Sequence, residues 1–162
     1  MTLPPVAPEI AARLANYEID DEARRLLREM RPLVEPELEP AMNEVIAGAA
    51  RLVQVAEIYR RHGHEIREIE IAQFRALLSA DFDSRYVEIC RTTIEKETAL
   101  GFEGRARLNC GAAVLRRAID AFQRRYRLQG RAVAKRTRVL SQAIFFDIAT
   151  TQTYFLQRAK EN

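Results

Sequence analysis

Apolar residues recur every three or four positions along most of the chain, and this period predicts amphipathic α-helices rather than strands. All six prolines lie at or before position 40, so residues 41 to 162 contain none. Proline disrupts the interior of a helix, and a long tract without it is therefore compatible with continuous helical structure. The pattern predicts an all-α protein.

In the first half of the chain, helix boundaries are predicted from prolines, aspartates and one glycine. Pro8 favours the first turn of a short helix, and Asp20 with Asp21 favours the cap of a second helix. Three further prolines predict bends or breaks in that second helix: Pro32, Pro36 and Pro40. Gly63 predicts an interruption before the next apolar stripe. Seven or eight helices are expected in all.

The second half divides at one polar turn and three glycines. The run SADFDS, residues 79 to 84, predicts a turn that caps the following helix. Gly101 and Gly104 predict the end of that helix, and Gly130 separates two longer helices. The last predicted helix covers residues 132 to 160.

That last helix is apolar on two sides, which is typical of a helix that is buried or shared with a partner. We predict a homodimer that forms through the last two helices. The candidate interface residues are Leu140, Ile144, Phe145, Ile148 and Phe155.

Composition narrows the class of protein. The chain has 162 residues, 48% of them hydrophobic and 30% charged, as expected for one globular domain. No apolar run approaches the length of a membrane span, and the N-terminus lacks the pattern of a secretory signal. Its two cysteines, Cys90 and Cys110, cannot form a disulfide framework. The sequence therefore predicts a cytoplasmic protein.

Charge is unevenly distributed along the chain. Residues 1 to 60 hold eleven acids and seven bases, whereas residues 105 to 138 hold eleven bases and the single acid Asp120. A basic segment of this kind suits nucleic acid or an acidic protein surface. No known nucleic-acid-binding motif accompanies it, so a solvated arginine-rich helix face is the preferred interpretation.

One predicted helix carries an acid on its apolar side. Tyr86, Cys90, Thr93, Glu97 and Leu100 recur at spacings of three and four, which aligns them on one side. A buried carboxylate is costly unless another group pairs with it. Glu97 is therefore either a functional acid in a pocket or a paired carboxylate at the pocket edge.

The runs HEIREIEIAQFRALLSADFDSRYVEICRTTIEKETALGF and LSQAIFFDIATTQTYFL resemble globin-coupled sensor domains, which are similar to protoglobins and occur in bacterial signalling proteins. The resemblance rests on the order and spacing of seven residues: Gln73, Phe82, Asp83, Tyr86, Gly101, Asp147 and Tyr154. It implies a globin-like helical bundle over residues 18 to 162, preceded by an N-terminal extension, residues 1 to 17, with a short helix.

The same resemblance implies that the haem-binding residues are missing. It places Glu97 where haem-binding members have the iron-ligating histidine, and Ile46, after Val45, where many have a distal tyrosine. Ala106 and Arg107 replace a tryptophan-tyrosine pair. We therefore expect neither haem nor a metal, and we predict a pocket formed by Glu97, Ile46, Tyr86, Cys90 and Thr93.

The histidines leave one alternative open. His62 and His64 are the only two in the chain, and they flank Gly63 next to arginines, as expected for an exposed connection. Haem held by one of them would make the protein a gas sensor with a non-standard ligand.

The sequence contains no recognisable catalytic arrangement or phosphate-binding loop, so we predict a non-enzymatic protein. The leading hypothesis is a sensor domain of a bacterial receptor, of the methyl-accepting chemotaxis type, that precedes a C-terminal output domain. An unidentified small molecule could be its stimulus. The alternatives are the haem-based sensor, a basic helical nucleic-acid-binding protein and a scaffold without a ligand.

Overall fold

The computed structural model describes residues 2–162, and these residues form six α-helices without a strand. The helices are α1 (Pro8–Asn16), α2 (Asp21–Ala49), α3 (Val53–Ser79), α4 (Ser84–Ala99), α5 (Arg105–Arg125) and α6 (Gly130–Glu161). The prediction of an all-α bundle is confirmed, but the expected number of helices is wrong, because two predicted interruptions do not occur.

The first of these is the proline series. Pro32, Pro36 and Pro40 all lie inside α2, which continues from Asp21 to Ala49. Their spacing of four aligns the missing N–H groups, and Pro32 and Pro36 lie on the exposed side of the helix. Carbonyls left without a partner there can bind water. The opposite side is held by five buried residues: Met30, Val34, Leu38, Ala41 and Met42.

The second predicted interruption was Gly63, which instead lies buried within α3. A Cβ added there would lie 3.4 Å from Cγ2 of Ile46 on α2, which is an ordinary van der Waals distance, so this position does not require glycine. Gly111 on α5 does allow a close helix contact, since a Cβ there would lie 2.9 Å from Cγ2 of Ile144 on α6. Neither glycine reverses the direction of the chain.

The predicted caps and turns are present. Asp20 accepts a hydrogen bond from the Ala23 amide at 2.9 Å, and Asp83 accepts one from the Tyr86 amide at 3.1 Å. The SADFDS turn is a tight link between α3 and α4. Gly101 and Gly104 have φ angles of 91° and 74°, which explains why the link between α4 and α5 contains glycine at both places.

α2 occupies the centre of the bundle, where it packs on α3, α5 and α6. The short helix α1 belongs to the same core, since Ile10 and Leu14 are buried in the main apolar cluster. Its Arg13 also donates hydrogen bonds to Thr150 and Thr153 of α6. Within residues 2–162, no helix is both long enough and apolar enough to cross a membrane.

The uneven charge along the sequence is compensated in the fold. Arg117 of α5 pairs with Glu37 and Glu44 of the acidic helix α2, and Arg124 pairs with Glu37. Bases of α6 pair likewise with acids near the N-terminus, among them Lys135 with Glu22, Arg136 with Glu29 and Arg138 with Glu18. Most bases of the segment 105 to 138 therefore face acids of the same chain.

Candidate functional site

The site is built on the side of α4 that the sequence analysis singled out. Tyr86, Cys90, Thr93 and Glu97 are all buried and face the neighbouring helices α3, α5 and α6. Ile46, the fifth residue predicted to form a pocket, lies on α2, half-buried against Gly63. The four α4 residues meet a cluster of polar and charged side chains in the interior.

Arg107 of α5 is the centre of this cluster and is fully buried. Its Nη1 donates to Oε2 of Glu70 on α3, and its Nη2 donates to Oδ2 of Asp147 on α6. The guanidinium carbon lies 5.3 Å from the centroid of the Phe74 ring. Burial alone would lower the pKa of Arg107, but the two carboxylates outweigh burial and raise it. The side chain stays charged.

Asp147 is held by two further donors. The Tyr86 hydroxyl and the Gln73 amide nitrogen both donate to its Oδ1, the latter at 2.7 Å. Thr93 in turn donates to Oε1 of Gln73 at 2.7 Å. These contacts connect α3, α4, α5 and α6 through one continuous network of buried polar groups, which we call the Arg107 network: Glu70, Gln73, Tyr86, Thr93, Glu97, Arg107 and Asp147.

Glu97 occupies a distinctive place in the network. Its side chain is 1% exposed, and neither of its oxygens has a hydrogen-bond donor among the described residues; Oε1 of Glu70 also has none. A proton on one Glu97 oxygen satisfies two of these three atoms, because that oxygen can then donate to Oε1 of Glu70. Burial, reinforced by the Glu70 carboxylate, raises the pKa of Glu97 to about 10. Glu97 is therefore neutral near pH 7.

Protonation of Glu97 also limits the buried charge. With Glu97 neutral, the positive Arg107 faces two negative groups, Glu70 and Asp147. An ionised Glu97 would add a third negative charge in a region that water does not reach, which is energetically costly. Glu97, the acid on the apolar side of α4, is therefore a neutral hydrogen-bond donor.

The two cysteines lie beside the network and are buried free thiols. Burial and the nearby Asp147 raise the pKa of Cys90 to about 12, and burial with Glu70 raises the pKa of Cys110. A reactive thiol needs the opposite, a lowered pKa and exposure. Both behave as small packing residues.

The sequence pattern indicates Glu97, Arg107 and Asp147 separately, without showing that they meet, and it does not indicate Glu70 as their partner. A signal was present in the sequence. Arg107 lies on the apolar stripe of α5 with Cys110, Val114 and Ala118, and Glu70 lies on that of α3 between Ile66 and Phe74. Charged residues on the apolar sides of three helices, two acids and a base, predict a buried pairing.

The histidines are remote from this network. His64 is exposed, and Nδ1 of His62 lies 3.3 Å from Oε1 of Glu65 on the same exposed turn of α3. The buried Gly63 separates them and faces α2, so the imidazoles lie away from the contact between α2 and α3.

The α6 residues predicted for a dimer interface divide into two groups. Leu140, Ile144 and Ile148 are 1%, 3% and 9% exposed, because α2 and α5 already cover them within the chain. Phe145 is 56% exposed, and Phe155 is half-buried. Only the second group is accessible to a partner without a rearrangement of the bundle.

Comparison with known proteins shows the fold. No protein-family model and no curated protein matches the sequence. Among solved structures, the globin domain of a globin-coupled sensor from Geobacter sulfurreducens matches with a TM-score of 0.75 and 14% sequence identity. The match covers 89% of this chain and 95% of that domain. The chain has the globin fold of a globin-coupled sensor domain. The globin-like fold that the resemblance implied is confirmed.

The residues of this globin fold do not fit a haem at the position of Glu97. A haem iron needs an imidazole, thiolate, thioether or phenolate ligand. At Glu97, the position that the sequence resemblance assigns to the iron ligand, the structure has a buried neutral carboxyl group beside the ion pair of Arg107 and Glu70. The Tyr86 hydroxyl donates to Asp147, and burial with Asp147 raises the pKa of this phenol, which opposes its use as a phenolate.

We predict that Arg107→Met destabilises the protein strongly, by about 3–5 kcal/mol, since it leaves Glu70 and Asp147 buried without a cation. Urea unfolding followed by circular dichroism measures the change. Arg116→Met is the control, because Arg116 is 62% exposed and its pair with Glu44 should contribute less than about 1 kcal/mol.

The triple variant Arg107→Met, Glu70→Gln, Asp147→Asn removes all three charges together. It should recover part of the loss, because no unpaired carboxylate remains. Equal stability of the Arg107 and Arg116 variants would contradict the network.

We predict that Glu97→Gln removes a pH dependence of folding. With an ordinary pKa of 4.5 unfolded and about 10 folded, Glu97 makes the folded chain bind one more proton between these values. The raised pKa contributes stability that is complete below the lower value and is lost as the pH rises. The stability of Glu97→Gln relative to wild type should therefore increase by about 1.4 kcal/mol per pH unit between about pH 6 and pH 9.

Chemical denaturation across this range measures the slope. Glu95→Gln is the matched control, since Glu95 lies on the same helix but is 63% exposed. If the Glu97 and Glu95 variants follow wild type in parallel, Glu97 does not hold an extra proton.

Proposed function

We propose that this chain is the signal-sensing domain of a bacterial receptor, in which a globin fold works without haem. The Arg107 network is the observation that carries the proposal. It fills the interior beside Glu97 with ionic and hydrogen-bonded side chains, and it joins the four helices α3 to α6. A buried network of this kind is sensitive to any change in the position of one partner.

The network offers a route for signal transmission because one of its members, Asp147, lies on α6. Asp147 belongs to α6, the last and longest helix, so a shift of α4 or α5 is passed to α6 through the contacts of Arg107 and Tyr86. Packed helices change between discrete arrangements, and an output domain that follows α6 receives such a change as a shift of the helix. The chain acts by conformational change and has no enzymatic role.

The receptor that we propose is cytoplasmic and of the methyl-accepting chemotaxis type. The support is the resemblance of residues 64 to 102 and 140 to 156 to globin-coupled sensors, together with the shared fold. A nucleic-acid-binding role is less favoured, since most bases of segment 105 to 138 pair with acids of the same chain.

The proposed assembly is a homodimer through α5 and α6. Their outer side exposes Leu108 by 50% and Phe145 by 56%, and Leu156 near the end of α6 is 57% exposed. Large apolar side chains on a continuous pair of helices are typical of a protein contact.

We predict that hemin does not form a specific complex with the purified protein. Titration should give the broad absorption of free hemin without a sharp Soret band, whereas apomyoglobin under the same conditions gives one. A sharp band at one hemin per chain would contradict the proposal. Its loss in His62→Ala or His64→Ala would then favour the gas sensor with a non-standard ligand.

We predict that Phe145→Glu raises the dissociation constant of the dimer at least tenfold, because the substitution would bury a charge in the apolar contact. Sedimentation equilibrium measures the constant. Leu128→Glu is the control, since Leu128 is 99% exposed in the turn before α6 and away from this contact. A wild-type chain that is monomeric at high concentration would refute the dimer.

A further inference from the structure

A cavity of about 890 Å³ lies next to the Arg107 network and shares none of its residues. It opens to the surface and is lined by the end of α2, the beginning of α3, the link between α4 and α5, and the first turns of α5. Its apolar wall is formed by Val45, Val55, Ile58, Tyr59, Phe102 and Ala106. Cavities that bind small molecules have volumes of roughly 300–1,000 Å³.

The wall belongs to a second, smaller apolar cluster that is separate from the main core. Tyr59 and Phe102 pack edge to face with ring centroids 5.1 Å apart, and this pair closes one side of the cavity. The remaining side chains of the cluster do not fill the space between α2, α3 and the α4–α5 link. The result is a preformed apolar space at the edge of the bundle.

Two arginines give the opening of this cavity a positive charge. Arg51 follows α2 and is exposed, and Arg105 begins α5 with 81% of its side chain exposed. Glu103 is the single acid among the lining residues, and it contacts Arg105 at 3.3 Å with 72% of its own side chain exposed. An exposed pair of this kind is weak, so Arg105 remains available to a bound anion.

We propose that this cavity binds a small amphipathic carboxylate, with its apolar body against the inner wall and its acid group near Arg51 and Arg105. The apolar lining provides the hydrophobic contribution to affinity, and guanidinium groups match the planar geometry of a carboxylate. A neutral molecule would leave the two arginines unused, and a cation would be repelled by them.

The site deepens the proposed function and rests on it, because the cavity adjoins the segment between Glu97 and Arg107. The Phe102 amide donates to the carbonyl of Glu97 at 2.9 Å, and Ala106 directly precedes Arg107. An occupant that moves Phe102 or Ala106 therefore acts on two members of the network, Glu97 and Arg107. The carboxylate would be the stimulus that the sensor detects.

Isothermal titration calorimetry of the full chain with decanoate, below its micelle-forming concentration, tests the proposal. We expect one saturable site per chain and a higher unfolding temperature when ligand is present. Decanol and decylamine carry the same apolar body without the negative charge, and each should bind at least tenfold more weakly.

Variants of the cavity locate the site. Arg51→Gln with Arg105→Gln should weaken decanoate binding at least tenfold, as should Ile58→Trp, which fills the cavity. Arg127→Gln is the matched control, an exposed arginine in the turn before α6 that should bind decanoate like wild type. Circular dichroism verifies that each variant is folded, and the arginine pair tests the site even if Ile58→Trp does not fold.

Three results would overturn the proposal: neither a heat of binding nor a rise in unfolding temperature with decanoate, equal binding of decanol, or many equivalents bound without saturation. Unchanged affinity in both the arginine pair and Ile58→Trp would place any binding elsewhere and also overturn it. None of these results affects the hemin titration. The calorimetry therefore tests the carboxylate site, and the hemin titration separately tests the proposal that the globin fold works without haem.

Discussion

The arrangement of α3 to α6 depends on the burial of a single guanidinium group. Arg107 has no exposed surface and two carboxylate partners, one from α3 and one from α6. A buried arginine has few tolerable positions, because any rotation that breaks one pair leaves a charge without compensation. Apolar side chains of similar volume often stabilise a core as well as such a network does, or better. We therefore infer that the network contributes specificity, by favouring one arrangement of the four helices over others.

The same network explains why an acid is tolerated in the middle of α4. Three carboxyl groups and one guanidinium would carry a net negative charge of two in the interior. The cluster avoids this by keeping Glu97 protonated, which turns a third anion into a donor for Glu70. In this chain the side chains of four helices meet one another, and ionic contacts connect them.

The sequence predicts the class of fold well and the local breaks poorly, for physical reasons that can be named. A helix cap such as Asp83 depends only on residues close to it in the sequence, so the sequence predicts it correctly. Pro32, Pro36, Pro40 and Gly63 break helices by local preference, but burial of the opposite side of α2 and close packing of α2 on α3 override that preference. The partners of Arg107 lie 37 and 40 residues away. Helical period shows that Glu70, Glu97 and Arg107 lie on apolar sides, but not which of them meet.

The helix α6 carries one residue of the interior, Asp147, and one exposed residue, Phe145, two positions apart. Asp147 is fully buried and bound to Arg107, whereas Phe145, two positions earlier, points to the opposite side and is 56% exposed. A helix is rigid over such a distance, so a rotation that keeps Asp147 in contact with a displaced Arg107 also moves Phe145 across the outer face. The α5–α6 side then presents a different apolar surface to its surroundings. The coupling that we propose between the core and the outer face therefore needs no element other than α6, since both residues lie on that helix.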